Sequence, residues 1–294
     1  MSVRVRTAFL AIALTIAPAA LSAMEWPLPD ATIIRNFGFN DRGRPTVGVV
    51  LAGYGEVLAG GGGEVIFSFS GANGSASRFP STLGSWTALD HGNGLVSIYA
   101  RYYARYYGAG FDGLRAEQGM PIALAGASGW SGLDGCYFML FDRRERRWVN
   151  PAMIAAPFPD TIAPQIHGVQ LMNENGALVG IAPGQSVVQG MYGIVVSATD
   201  ALSAGRGTLL APHRIISSVN GSEVGRFSLE TISARDGVML INRGSQVPAR
   251  RVYAPFPAFE AGEVWLNRGQ AILEIIVQDI AGNSSSIVAH ILVE

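Results

Sequence analysis

Gly63-Glu64-Val65-Ile66-Phe67-Ser68-Phe69 is the stretch from which the fold class is read. It is rich in β-branched and aromatic residues and bounded by turn-forming residues on both sides, so it reads as a strand. The same pattern returns at Gly94-Leu95-Val96-Ser97-Ile98-Tyr99-Ala100, at Gly193-Ile194-Val195-Val196-Ser197 and at Ala271-Ile272-Leu273-Glu274-Ile275-Ile276-Val277. Gly, Asn and Asp separate the runs, and long helical periodicity is absent. The chain is therefore expected to be all-β.

Hydrophobic residues make up 49% of the 294 and charged residues 15%. That composition supports a sizeable core and excludes a disordered chain. A net charge of −1 leaves no basic footprint for nucleic acid. The N-terminus reads as an export address. Arg4 and Arg6 precede an apolar run over residues 9–17, and Ala20-Leu21-Ser22-Ala23 offers a cleavage site. Residues 1–23 are expected to be a signal peptide, and the mature chain to lie in the periplasm or cell envelope. No later run reaches the roughly 18 apolar residues of a membrane span. Cys136 is the single cysteine and has no internal partner for a disulfide.

A boundary is expected near residues 155–164, where Ala156-Pro157-Phe158-Pro159-Asp160 and Pro164 interrupt strand pairing. One domain spans 24–157 and a second 158–294. The second has longer strands, an Asn220-Gly221 hairpin turn and a C-terminal hairpin around Asp279-Ile280-Ala281-Gly282-Asn283. In the first, Asp142-Arg143-Arg144-Glu145-Arg146-Arg147 reads as a solvated hairpin tip. Gly60-Gly61-Gly62-Gly63 reads as a flexible run, and residues 68–85 as a Gly/Ser/Asn-rich loop. Asp200, Asp236 and Asp279 read as turn residues, with a calcium site among Asp/Asn turns as the alternative. His167, His213 and His290 are too scattered to form a constellation.

Several pieces occur in a recognisable order between residues 26 and 151. Trp26-Pro27-Leu28-Pro29 and Asn36-Phe37-Gly38 open the segment. Gly55-Glu56-Val57-Leu58-Ala59, Asp90-His91-Gly92-Asn93-Gly94 and Tyr99-Ala100-Arg101 follow. Gly126-Ala127-Ser128-Gly129 and Val149-Asn150-Pro151 close it. In order and spacing this segment resembles the M23 (LytM/lysostaphin-type) peptidase family, and the second half resembles an immunoglobulin-like β-sandwich. The resemblance implies an antiparallel β-sheet domain that acts on peptidoglycan through a zinc held by His, Asp and His.

Here those positions are changed. Thr46 stands for the first His, Val50 for the Asp and Arg101 for the His after Tyr-Ala. Gly135 and Tyr137 fall on the paired His positions. A catalytic zinc needs three protein ligands and one open position, and this set supplies none, so no metal or cofactor and no catalytic residue are expected. His91 matches a framework turn. Arg101, Tyr102, Tyr103, Arg105 and Tyr106 are candidate cleft-binding residues, because aromatics with Arg mark binding surfaces. The resemblance thus implies a non-catalytic regulator, activator or scaffold, with peptidoglycan or a cell-wall hydrolase as partner. The alternatives are a peptidoglycan-binding module and an active metallopeptidase with relocated ligands.

Overall fold

The computed structural model describes residues 23–70, 81–105, 113–181, 185–202 and 207–294. The expected signal peptide lies outside them, apart from its last residue. So does most of the loop between residues 68 and 85. Among the described residues the chain is all-β, with two short 3-10 turns, and no helix is long and apolar enough to cross a membrane.

The principal strands of the first half are β1 (Thr32–Arg35), β2 (Val49–Ala52), β3 (Gly63–Phe69), β4 (Ser85–Asp90), β5 (Leu95–Tyr102), β6 (Gly135–Asp142) and β7 (Arg147–Val149). β3, β4, β5 and β6 pair antiparallel in that order. The first residues of β6 lie between β2 and β5, and its last residues lie between β5 and β7. Six consecutive residues of β6, from Gly135 to Leu140, are buried. That is what a central strand covered on both faces requires, and it explains why Cys136-Tyr137-Phe138-Met139-Leu140 shows no alternation. The β6–β7 hairpin turns at residues 142–147, where Asp142 Oδ1 accepts the Arg144 and Glu145 amides.

The second half contributes β8 (Gln165–Asn173), β9 (Leu178–Gly180), β10 (Gly190–Thr199), β11 (Arg214–Val219), β12 (Ser222–Arg235), β13 (Ala258–Leu266), β14 (Gly269–Gln278) and β15 (Ser284–Val293). β9, β8, β10 and β13 form a four-stranded sheet. It faces β12, β11, β14 and β15 across a shared core. Leu171, Ile194, Val196 and Phe259 meet Ile215, Phe227, Leu273, Ile275 and Ile291 there. Asn220 and Gly221 hold φ of 50° and 79°, the left-handed pair that a tight hairpin turn needs.

The two halves share one sheet. β7 pairs with β12 through Arg147↔Ser233, Trp148↔Ile232 and Val149↔Thr231. Among the described residues the resulting sheet has 15 strands and runs from the first half into the second. Phe37 of the first half is buried within the core of the second. Asn36 clasps Ala211, its Nδ2 donating to the carbonyl at 2.7 Å and its Oδ1 accepting the amide at 3.0 Å. Asn150 Nδ2 donates to Leu229 O at 2.9 Å. The opening Asn36-Phe37-Gly38 and the closing Val149-Asn150-Pro151 therefore grip the second half.

The glycine run 60–63 differs from the flexible segment expected. A Cβ on Gly60 would lie 2.5 Å from Glu25 O, and one on Gly63 would lie 2.7 Å from Asp90 O. The Gly60 amide donates to the buried Tyr99 hydroxyl at 2.8 Å. These glycines permit close backbone packing.

Candidate cleft around Arg101 and Tyr137

The candidate site is built where β2, β6 and β5 lie side by side. Pairing sets Val50 opposite Tyr137, and Tyr137 opposite Ala100. All three are buried, and with Met139 they form a small apolar cluster packed against Ile34, Leu83, Trp86 and Ile98. The next residue, Arg101, is the extra residue of a β-bulge. Ser85 pairs with Tyr102 and Trp86 with Ala100, which leaves Arg101 between them. Its φ is +67°, rare for a residue with a side chain. The guanidinium carbon lies 4.7 Å from the centre of the Tyr137 ring, within cation–π range.

Burial holds Arg101 below the ordinary arginine range, and its Nε is buried without a hydrogen-bond partner. Burial also pushes the Tyr137 phenol up to about 12. Its hydroxyl accepts the Val47 amide at 3.2 Å. Cys136 points to the opposite face, into the main core of the first half, where burial raises its thiol to about 12.

These residues do not fit a zinc. Val50 has no lone pair, Arg101 is a cation, and Tyr137 is held as a protonated phenol. The Thr46 hydroxyl donates to Phe39 O at 3.1 Å. Gly135 has no room for a ligand side chain, since a Cβ there would lie 1.9 Å from Leu51 O. His91 is committed to the framework: Nδ1 bonds Gly62 O at 2.8 Å and Nε2 bonds Ser97 Oγ at 2.7 Å.

Val50, Arg101 and Tyr137 are thus brought together, Thr46 lies next to Val47 with its hydroxyl turned away, and Gly135 lies at the start of β6. The candidate binding residues divide. Tyr103 is 66% exposed. Tyr102 is a correction: it is fully buried, and its hydroxyl shares a 2.8 Å hydrogen bond with Thr87 Oγ1, so it belongs to the core. Arg105 ends a short strand, Ala104–Arg105, paired with Pro121–Leu124. Tyr106 lies outside the described residues.

Two exposed aromatics were not singled out from sequence: Tyr54, 86% exposed, and Trp130, 75% exposed. Their loops are tied to the cleft. Gly53 N donates to Asp134 O, Trp130 N to Thr82 O, and Arg101 N to Leu83 O. A lone aromatic in a Gly/Ser-rich loop was the available signal.

A protein-family profile matches residues 163–294, less than half of the chain. No curated protein matches. Among solved structures, the chain is similar to the catalytic domain of the prophage-encoded M23 protein EnpA of Enterococcus faecalis. The identity is 19%, over 44% of this chain and 95% of that one, with a TM-score of 0.35. It is similar to lysostaphin, an antimicrobial peptidase of Staphylococcus simulans, at 12% identity over 92% of this chain and 100% of that one, with a TM-score of 0.37. It is also similar to a chain of the SpoIIQ–SpoIIIAH pore-forming complex, at 16% identity over 46% of this chain and 92% of that one, with a TM-score of 0.36. Likenesses at this level do not assign a family.

Proposed function

We propose that this chain is a non-catalytic, M23-like cell-envelope protein that regulates or scaffolds peptidoglycan hydrolysis, with an immunoglobulin-type second half. The observation that carries the reading is the alignment of Val50, Ala100 and Tyr137 with Arg101 over the Tyr137 ring. A hydrolytic zinc is held by lone-pair donors around an open position. This set offers an alkyl group, a cation and a buried phenol. Export is part of the same proposal and rests on the signal-like composition of residues 1–23.

A second reading, peptidoglycan binding without cleavage, draws on the aromatics around the cleft. Tyr54, Tyr103 and Trp130 expose flat apolar faces of the kind that pack on sugar rings, and a guanidinium pairs with peptide carboxylates. The full mature chain, alone and with a cell-wall hydrolase of the same organism, tests both. Alone it is expected to release no fragments from purified peptidoglycan, and with the hydrolase it is expected to change the rate of release. Co-sedimentation with insoluble peptidoglycan that weakens in Arg101→Ala, with no effect on the hydrolase, would favour the second reading. Fragment release by the chain alone would overturn both.

A further inference from the structure

Away from the cleft, three carboxylates converge where the connector meets the second half. Asp160 belongs to the connector, Asp200 follows β10, and Asp279 opens the turn between β14 and β15. One oxygen of each lies within 4.8 Å of the others. Asp200 and Asp279 are only 5% and 3% exposed.

Their hydrogen bonds leave capacity unused. Both Asp279 oxygens are engaged in shaping the turn, by the Gly282 and Asn283 amides and by Asn283 Nδ2. Asp160 Oδ1 accepts the Ile162 amide, but its Oδ2 is buried without a partner. Asp200 Oδ1 accepts only the adjacent Ala201 amide, and its second oxygen has no donor among the described residues. No ion pair among the described residues includes any of the three. Asp200 is thus a carboxylate more than nine-tenths buried, with a free oxygen and no counter-cation. It lines a cavity of about 110 Å³ together with Asp160, His213, Asn36, Trp26 and Phe158. Burial disfavours the charged form of such a group and pushes the Asp200 carboxyl up to about 7.

We propose that Asp160, Asp200 and Asp279 bind a divalent cation of the calcium class. An all-oxygen donor set selects a hard cation. Oxygens about 2.3–2.6 Å from a shared calcium lie up to roughly 5 Å apart, whereas magnesium, at about 2.0–2.1 Å, demands a tighter set. Water in the adjoining cavity completes the coordination. The cation ties the connector to the end of β10 and to the β14–β15 turn, and so fixes the junction between the halves. Asp200 and Asp279, expected from sequence to make turns, would then act as ligands as well, whereas Asp236 belongs to a hairpin turn alone.

The test uses the full mature chain stripped with a chelator and titrated at neutral pH with calcium alone, with magnesium alone, and with terbium followed through tryptophan-sensitised luminescence, since Trp26 lines the cavity. The expected result is one calcium per chain, a rise in Tm on binding, and magnesium weaker by roughly tenfold or more. Asp279→Asn disturbs a turn, so the informative variants are Asp200→Asn and Asp160→Asn. Each is expected to keep the chelated protein's Tm within a few degrees and to weaken calcium at least about tenfold. No calcium uptake by the wild type would overturn the proposal, and so would uptake that survives both substitutions. Magnesium binding as tightly as calcium would overturn the calcium assignment.

Discussion

Arg101 combines two costly features, a left-handed backbone and a half-buried cation, and the bulge explains both. An extra residue in β5 turns the guanidinium onto Tyr137 and shifts the alternation beyond it. Ala100 faces the apolar cluster of the cleft, while Tyr102 joins Tyr99 in the main core. Strict alternation would have kept Tyr102 on the Ala100 face, beside the cleft. A bulge leaves no signature in residue types when its extra residue is not glycine, so this misplacement followed from the sequence. The strain itself is testable. Arg101→Gly and Arg101→Ala remove the same side-chain contacts, but only Gly tolerates a φ of +67°. The Gly variant is expected to be the more stable of the two by about 0.5–1 kcal/mol in denaturant unfolding. The opposite order would mean that the bulge is not retained. Cys136 offers a second check at this scale. With its thiol pushed to about 12 by burial, it is expected to resist a thiol reagent at pH values well above neutral in the native protein and to react fully once unfolded. Rapid native labelling would place the residue elsewhere.

At the level of elements, the sequence was most readable where turn chemistry and strand propensity agree. The Asn220-Gly221 turn, the C-terminal hairpin and the 142–147 tip all form as read. The pairing of β7 with β12 was not readable, because a three-residue strand carries too little pattern to name its partner. The role of Asn36-Phe37-Gly38 was hidden for the same reason: its contacts lie some 175 residues away in the chain. Phe37 is 1% exposed within the second half's core. Phe37→Ala is therefore expected to cost about 3–5 kcal/mol. A loss below about 1 kcal/mol, outside the range for a buried aromatic, would show that the docking seen here is not maintained in solution.

At the scale of the molecule, one sheet runs from the first half into the second and Phe37 is buried in the second half's core, so the halves on either side of the Pro-rich stretch at 155–164 are expected to unfold together. Thermal unfolding is expected to show a single transition in which tryptophan fluorescence and far-UV circular dichroism coincide. Two well-separated transitions would restore the picture of independent domains. The all-β class was legible because strand runs are local, and the residue types at Thr46, Val50, Arg101 and Tyr137 were legible because they are a matter of identity. How these residues meet depends on packing and needed the structure: Val50 against Tyr137, and Arg101 over its ring. The most direct test of the central claim is the zinc retained by the full mature chain after saturation with zinc and mild chelation. A chain whose cleft offers Val50, Arg101 and Tyr137 is expected to retain far less than one zinc per molecule. Stoichiometric zinc that resists chelation, and that Asp200→Asn does not remove, would contradict the non-catalytic reading.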